Sequence, residues 1–369
     1  MVTVSAVRGR RDRRDFIGLP YRLYAGSPYW VPPLRISIKR QLAFAARPGG
    51  ELTAEHFIAR TPEGRCVGRI AAAIHAPYTE RYGPVGFFGF FECEQDHSAG
   101  SALLAAAEAW LRQRGMKEVS GPYSYTTAQD VGLLTEGFDT PCSLLQPYHP
   151  PYYREIVESC GYGQKYGSSA FMLTRREPGP ADPRIAARGQ KAMARAGLAV
   201  RCASGDYEQE MELIRELYNR SFAGSPDSVP VGRSLFHFLA GDLRRLLKPE
   251  LVQIIEQHGQ PVGFLVMFPE ISSILRKCRG SVLRYILNER HVRRQRSVVV
   301  VMMGAEPGSV GLGVGRCIAG QIAQLADTAI GYDSVYTTRV HQDNALCRSL
   351  LASLGAVEHK RYAVFGKCL

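Results

Sequence analysis

A glycine-rich turn near residue 310 constrains this chain more than any other feature. Residues 298–303 read Val-Val-Val-Val-Met-Met, an apolar run with the length of a buried strand. Gly311, Gly313 and Gly315 follow and lead into a stretch with helical spacing. Such a turn brings backbone N–H groups and a helix N-terminus to one point, which suits a phosphate or another anion. Close packing of the helix on the strand is the alternative reason for these glycines.

The turn is not a dinucleotide-binding fingerprint. Gly-x-Gly-x-x-Gly requires a third glycine at the position that Arg316 occupies here. The sequence therefore predicts an anion site of another kind at this strand–helix junction.

Positive charge is concentrated in the segment that precedes the apolar run. The chain carries a net charge of +12, and residues 272–297 contribute +7 of it, from eight cations and the single acid Glu289. A solvated basic surface is one interpretation, and a footprint for a polyanion such as nucleic acid or cofactor phosphates is the other. The eight cations are Arg276, Lys277, Arg279, Arg284, Arg290, Arg293, Arg294 and Arg296.

Composition narrows the class of protein. No apolar run reaches the roughly 18 residues of a membrane span, and the basic N-terminus lacks the apolar core of a secretory signal. The nine cysteines are scattered and form no Cys-x-x-Cys pair, which favours reduced thiols over disulfides or a zinc site. We therefore expect a cytoplasmic protein that has no metal and no membrane partner.

The order of predicted elements repeats in the two halves of the chain. Each half reads as two strands joined by a tight turn, a longer strand, a helix, a strand, a helix and a last strand. Residues 175–183 are charged and hold three prolines, as is typical of a linker. We predict domains at residues 1–176 and 184–369, with a linker at 177–183.

This order, together with several local motifs, resembles the GNAT acyltransferase superfamily. The chain is similar over nearly its whole length to a family of largely uncharacterised bacterial N-acetyltransferases. The resemblance is carried by Tyr29-Trp-Val-Pro-Pro-Leu34, Gly86-Phe-Phe-Gly-Phe-Phe-Glu-Cys93, Gly132-Leu-Leu-Thr-Glu-Gly-Phe-Asp-Thr-Pro141 and Pro150-Pro-Tyr-Tyr153. It implies an α/β (α+β) fold of two tandem GNAT-like domains, each a mixed, mostly antiparallel twisted sheet flanked by helices.

The resemblance further implies an enzyme that forms an amide from an activated acyl donor and the amine of a small-molecule acceptor. The strand before the glycine turn would hold the donor's pantetheine arm, and the turn would hold its pyrophosphate. The donor-binding residues implied are Met302, Met303, Gly304, Gly311, Gly313, Gly315, Arg316 and Asn344. Asn344 has a second reading, as a helix N-cap.

This sequence departs from the GNAT pattern at three points. The cation that usually precedes the turn is replaced by Gly308 or Val310, and the tyrosine that commonly protonates the leaving thiolate is replaced by Leu351. No carboxylate stands out as the general base. Glu306 and His341 are the catalytic candidates because either could reach the substrate amine. The alternative for His341 is an ordinary surface residue of a loop.

The acceptor is expected in a cleft between the halves. Residues 218–230 and the polar loop 124–130 would build this cleft, and Ser124 and Asp130 are its candidate substrate-binding residues. The first half lacks a glycine turn after Glu92, which predicts that it has lost donor binding and serves as a platform.

Two acyl donors are compatible with the sequence. Acyl-CoA is the usual donor of the superfamily. Aminoacyl-tRNA serves tandem GNAT-like transferases of the cell-wall bridge-forming type, and it would make tRNA a partner of the eight cations and explain the weakened pyrophosphate clamp. The alternative to both is a non-catalytic nucleic-acid-binding or regulatory protein on the same scaffold.

Overall fold

The computed structural model describes residues 2–47, 49–174, 183–204, 206–292, 294–325 and 331–369. Its strands form one 14-stranded sheet. The strands are β1 Thr3–Ala6, β2 Leu52–Arg60, β3 Cys66–His75, β4 Val85–Cys93, β5 Glu118–Gly121, β6 Leu133–Glu136, β7 Gly163–Thr174, β8 Leu198–Cys202, β9 Val252–Gln257, β10 Gln260–Pro269, β11 Ser297–Ala305, β12 Ser334–Thr337, β13 Val340–His341 and β14 Val357–Cys368.

Helices cover the faces of this sheet. They are α1 Gly9–Leu23, α2 Arg35–Ala45, α3 Ala76–Tyr82, α4 His97–Arg112, α5 Tyr152–Ser159, α6 Pro183–Ala196, α7 Tyr207–Phe222, α8 Arg233–Leu243, α9 Ser272–Cys278, α10 Val282–Val292, α11 Val314–Gln324 and α12 Ala345–Ser353. The fold class is therefore the mixed α/β arrangement of two repeated halves that the sequence predicts.

The two halves exchange their closing strands. The sheet order is β1-β2-β3-β4-β5-β14-β7-β12-β11-β10-β9-β8. The last strand of the chain, β14, thus pairs with β5 of the first half, while β7 of the first half pairs with β12 of the second. The two exchanged strands also pair with each other along most of their length. One continuous sheet results, because neither half closes its own edge.

Each half places helices against its strands through the apolar faces that the sequence shows. In the first half, α4 buries Leu103, Leu104 and Leu111 against β3 and β4. In the second half, α11 and α6 cover one face of the sheet, and helices α7 to α10 cover the other. Leu144 of the first half packs into the core beneath helices α7 to α10, so the halves share a hydrophobic core as well as strands.

Several elements depart from the sequence-based expectations. The aromatic and proline-rich residues 16–34 contain most of α1, which holds Pro20 in its interior. Lys360, whose charge would suit the surface, is 1% exposed, and its ammonium donates to the carbonyls of Gly137 and Thr140, the latter at 2.7 Å. The predicted linker 177–183 lies outside the described residues apart from Pro183, which begins α6. The domain boundaries therefore stay a prediction.

Candidate active site

Two neighbouring parallel strands separate at the centre of the second half. β11 and β12 pair from Ser297 with Ser334 as far as Val300 with Thr337. Thr338 makes the last contacts between the two strands. Its N–H donates to the carbonyl of Val300 at 3.1 Å, and its hydroxyl donates to the carbonyl of Val301 at 3.0 Å. Beyond this point β11 pairs on one side with β10 and faces a cavity on the other.

The residues expected to hold the donor arm lie along this separated stretch. Met302, Met303 and Gly304 all line the cavity. Gly304 has no room for a side chain, because a Cβ there would lie 2.8 Å from the ring of Phe264 and 2.9 Å from the Cβ of Ser221. The strand thus presents a narrow backbone edge beside the cavity.

The glycine turn (residues 311–315) leads from this strand into α11. A short 3₁₀ segment, Pro307–Leu312, ends at Gly313, whose φ of 89° is the left-handed conformation that favours glycine. Gly313 is the N-cap of α11, and no described side chain caps the helix. The first N–H groups of a helix have no partner within it, so they are available to an anion beside Gly315 and Arg316. Arg316 is exposed and forms no ion pair with any described residue.

The corresponding helix of the first half is closed to anions. Asp96 caps α4, and its carboxylate accepts from the N–H groups of Ser98 at 2.8 Å and Ala99 at 3.3 Å. A carboxylate already fills the position that a phosphate would take, and its charge repels a second anion. Of the two equivalent helix N-termini, the one at α11 is therefore the better phosphate site.

A cavity of about 1390 Å³ extends from the separated strands between the two halves. This exceeds the roughly 300–1,000 Å³ of an ordinary small-molecule pocket. Part of its wall, which we call the apolar chamber, comes from α7, α8 and β10 and consists of Met211, Ile214, Phe236, Leu239, Val266 and Phe268. The expected cleft segments, residues 218–230 and 124–130, both contribute to the same cavity.

Asp130 lies in this cavity close to the separated strands. Arg339, just beyond β12, donates to the carbonyl of Gln129 at 2.8 Å and so ties the loop of the first half to the second. Asp130 is exposed to solvent and lines the cavity. The surrounding protein raises the pKa of this carboxyl, although the nearby Arg339 charge and the Ser124 hydroxyl, 3.3 Å away, lower it in part. A carboxylate with a raised pKa is suited to accept a proton.

His341 lies on β13 and lines the same cavity. Its Nδ1 accepts the N–H of Asp343 at 3.1 Å, and its ring packs on that of Tyr166 with centroids 4.6 Å apart. Since Nδ1 accepts, a neutral imidazole carries its proton on Nε2. This Nε2 is buried and has no hydrogen-bond partner among the described residues. The neutral ring therefore has Nε2–H as a donor, and its Nδ1 is already occupied and not available to remove a proton.

Glu306 and Asn344 are less well placed for the catalytic and donor-binding roles that the sequence predicted for them. Glu306 pairs with Arg220 at 2.6 Å and is not among the residues that line the cavity. Asn344 lines the cavity, but its side chain accepts the N–H of Cys347 at 3.0 Å and thereby caps α12. The structure thus favours the N-cap reading of Asn344.

The basic segment folds into α9 and α10, on the far side of β10 and β11 from α11. Arg276 is partly buried, and Arg296 pairs with Asp333 at 2.9 Å. Arg293 lies outside the described residues. The remaining five cations are exposed, namely Lys277, Arg279, Arg284, Arg290 and Arg294.

Sequence reasoning missed a buried polar network in the first half. Glu92 is 7% exposed and accepts from the hydroxyls of Tyr24 and Tyr153, the latter at 2.8 Å, while Arg69 lies 3.7 Å away. Burial raises the pKa of Glu92, and the Arg69 charge opposes that shift. Glu92 and Arg69 also border the cavity. A charged residue inside the apolar run 86–93 was the available signal.

Comparison with known proteins bears on this arrangement. No protein-family model matches the chain. It is 28% identical to Protein YghO of Escherichia coli over 99% of this chain and 95% of that protein. It is also 28% identical to a protein of Caulobacter vibrioides named bacterial ceramide synthase, over 100% of this chain and 98% of that protein.

Solved structures decide the fold. A tandem GNAT protein from the clavulanic acid biosynthesis pathway matches all of this chain and 98% of its own, with a TM-score of 0.59 and 13% identity. A GCN5-related N-acetyltransferase from Sphaerobacter thermophilus matches all of this chain and 95% of its own, with a TM-score of 0.54 and 12% identity. The chain has a tandem GNAT fold. Within this fold, the separated strands and the uncapped helix of the second half are the features that the sequence-based resemblance assigns to the donor.

The described residues include neither a membrane-spanning helix nor a metal-binding cluster. None of their helices combines the length and apolar character needed to cross a membrane. No group of three or more histidine, cysteine, aspartate or glutamate side chains in the described ranges is arranged to hold a metal ion.

Proposed function

We propose that this protein is an N-acyltransferase that joins a long acyl chain, delivered as a coenzyme A thioester, to the amine of a lipid-like acceptor. The observation that carries the proposal is the apolar chamber, which continues directly from the separated strands at which a thioester would lie. A long acyl chain would pack against the apolar side chains that line this part of the cavity, with a gain of about 25 cal/mol per Å² of apolar surface that it buries. A short acyl group and a small polar amine would make few of these contacts.

The relative named bacterial ceramide synthase supports the same substrate class. A ceramide is the amide of a long-chain amino alcohol with a fatty acid, so both of its parts require an extended apolar site. Similarity over the whole of both chains makes this chemistry relevant here, and the size of the cavity is compatible with it.

The donor would bind along the second half. The arm would lie beside Met302, Met303 and Gly304, and the pyrophosphate at the N-terminus of α11. Arg316 and the cations of α6 are candidate replacements for the cation that the turn lacks. Helix α6 packs closely against the turn, since a Cβ at Gly313 would lie 3.1 Å from the Cβ of Ala192. Exposed cations on α6 include Arg188, Lys191 and Arg195.

In the proposed reaction, the acceptor amine attacks the thioester carbonyl carbon and the C–S bond breaks. Asp130 accepts the proton that the amine loses. Backbone N–H groups of β11 stabilise the negative oxygen of the tetrahedral intermediate. His341 Nε2–H donates a hydrogen bond to the leaving thiolate, in place of the tyrosine that Leu351 replaces. The thiolate then takes up a proton as Asp130 returns its own to solvent, so the products are an N-acyl amide and free coenzyme A.

Aminoacyl-tRNA is the second candidate donor, and the exposed cations of α9 and α10 are the observation that favours it. A tRNA acceptor stem would be bound mainly through phosphates, so activity with that donor would fall steeply with added salt.

Donor assays with the purified protein test the proposal. Acetyl-, octanoyl- and palmitoyl-CoA are each combined with sphinganine or with ethanolamine, and released thiol and N-acyl product are measured. We expect the highest kcat/KM for palmitoyl-CoA with sphinganine. Leu239→Trp, which narrows the chamber, should move the preference towards octanoyl-CoA, and Leu239→Ala should not.

Other results would contradict the proposal. A preference for acetyl-CoA with ethanolamine would exclude the lipid-like substrates. Product formed from charged tRNA but from none of the thioesters would assign the donor to tRNA.

A further inference from the structure

The outer side of α10 carries large apolar side chains that no described element covers. Leu283 is 68% exposed, Ile286 50% and Leu287 68%. Their spacing of i, i+3 and i+4 places them on one stripe of the helix. Tyr285 and Val292 occupy the opposite side and are buried in the core. The helix is thus held by one face and presents a second apolar face to solvent.

Cations flank this stripe. Arg284 and Arg290 lie on α10 itself, Arg294 follows it, and Lys277 and Arg279 precede it. All five are exposed, and none forms an ion pair with the described residues. Glu289 is an exposed acid on α10, so it offsets only part of the positive charge of this segment. A helix with leucine and isoleucine on one face, bordered by arginine, is typical of helices that lie in the interface of an anionic bilayer.

Helix α2 extends the same surface. The N–H of Arg35 donates to the carbonyl of Gly280 at 3.0 Å, in the turn that joins α9 to α10. Ile36 is 48% exposed, and Arg35, Lys39 and Arg40 are exposed beside it. We call the exposed side chains of α2 and α10 the α2–α10 face.

The cavity reaches the outside at this face. Ile36 and Arg40 are exposed on α2 and also line the cavity, and Val282 and Tyr285 line it from the inner side of α10. A molecule that left a bilayer at the α2–α10 face would enter the cavity without crossing water. The apolar stripe, the flanking cations and the opening thus occupy one side of the protein.

We propose that the α2–α10 face binds the surface of an anionic membrane, with Leu283, Ile286 and Leu287 inserted among the acyl chains and the arginines against the phosphates. The exposed residues of this face support membrane binding independently of the reaction. The proposed lipid substrates explain why the protein would bind a membrane. The sequence-based expectation of no membrane partner came from the lack of a spanning segment, which does not bear on peripheral binding.

Vesicle flotation tests the proposal with the full chain. Vesicles of phosphatidylcholine alone are compared with vesicles that also contain phosphatidylglycerol. We expect binding to the anionic vesicles, weakened by added salt. The triple variant Leu283→Ser/Ile286→Ser/Leu287→Ser should bind these vesicles at least about tenfold more weakly, because three apolar side chains no longer enter the bilayer.

Two comparisons separate surface binding from other effects. Val357→Ser changes an apolar residue that is 55% exposed on β14, away from the face, and should bind vesicles like the unchanged protein. Arg284→Glu/Arg290→Glu should abolish the preference for phosphatidylglycerol. Thermal unfolding of each variant verifies that it is folded, which is expected because the replaced side chains are exposed.

Three outcomes would overturn the proposal. Equal binding of the triple variant and the unchanged protein would exclude the apolar stripe. A tRNA mobility shift that depends on Arg284 and Arg290, without vesicle binding, would assign the face to nucleic acid. A dimer on gel filtration that the triple variant loses, again without vesicle binding, would assign it to a second copy of the chain. Flotation requires no catalysis, so failure here is distinguishable from failure of the proposed reaction.

Discussion

At the scale of single residues, the proposed chemistry relies on side chains from both halves of the chain. Asp130 comes from a loop of the first half, whereas Arg339 and His341 both follow β12 in the second. Arg339 holds the two parts together through the Gln129 carbonyl. The surrounding protein raises the pKa of the Asp130 carboxyl, and the nearby Arg339 charge opposes that shift.

Replacing Asp130 should remove the general base. Asp130→Asn is expected to lower kcat by roughly 10²–10⁴-fold, the usual contribution of a positioned base. Because this carboxyl must be ionised and its pKa is raised, the kcat/KM of the unchanged enzyme should increase as pH rises through that pKa. The variant should lack this limb of the pH profile.

Glu306→Gln provides the matched comparison, since Glu306 is the carboxylate that the sequence predicted to be catalytic, whereas Asp130 was predicted to bind the substrate. Its carboxylate pairs with Arg220 outside the cavity lining, so the variant should keep most of the activity and the same pH profile. The reverse pattern, with Asp130→Asn active and Glu306→Gln inactive, would move the base to Glu306.

At the scale of elements, the junction of β11 and α11 differs from its counterpart in the first half by a cap. Asp96 caps the N-terminus of α4, whereas glycine in a left-handed conformation begins α11 and no described side chain caps the N–H groups there. A phosphate bound there would gain both the free donors and the helix dipole. One element type thus serves packing in the first half and is available for binding in the second.

Gly313→Val should disrupt this junction. A β-branched residue is strained at a φ of 89°, and its Cβ would press on Ala192 at 3.1 Å. We expect kcat/KM for acyl-CoA to fall roughly tenfold or more, which is about 1.4 kcal/mol. Gly163→Ala is the control, because a Cβ there meets nothing within 4 Å and its φ is not positive. Full activity of Gly313→Val would place the donor elsewhere.

At the scale of the whole molecule, the exchanged strands make the halves interdependent. Removing either half would expose both edges of a long strand, β7 or β14, and leave the other half without its closing strand. The cavity also depends on both halves, since residues from each form its wall.

Cutting the chain between the halves should therefore not separate them. With a protease site inserted between residues 176 and 184, the cleaved fragments are expected to elute together on gel filtration and to separate in denaturant. Elution of two separate fragments without denaturant would show that the exchanged strands contribute little to stability.

Local patterns allowed much of the fold to be predicted, because they depend on neighbours in the chain. Apolar periodicity and glycine turns indicated α4, β11, α11 and the repeated order of elements. Helix α1 was not predicted, since Pro20 and five arginines among residues 8–14 obscure its apolar face. The helices of the basic segment were missed because α10 has apolar residues on two sides.

By itself, the sequence determined the tandem order of elements, the glycine turn and the clustering of positive charge, all of which are properties of contiguous residues. The tertiary structure alone decided the strand exchange, the apolar chamber and the meeting of Asp130 with Arg339. These features join residues far apart in the chain, such as Gln129 and Arg339 with a separation of 210 positions. Such contacts are specified by packing of the whole sheet, which no local pattern encodes.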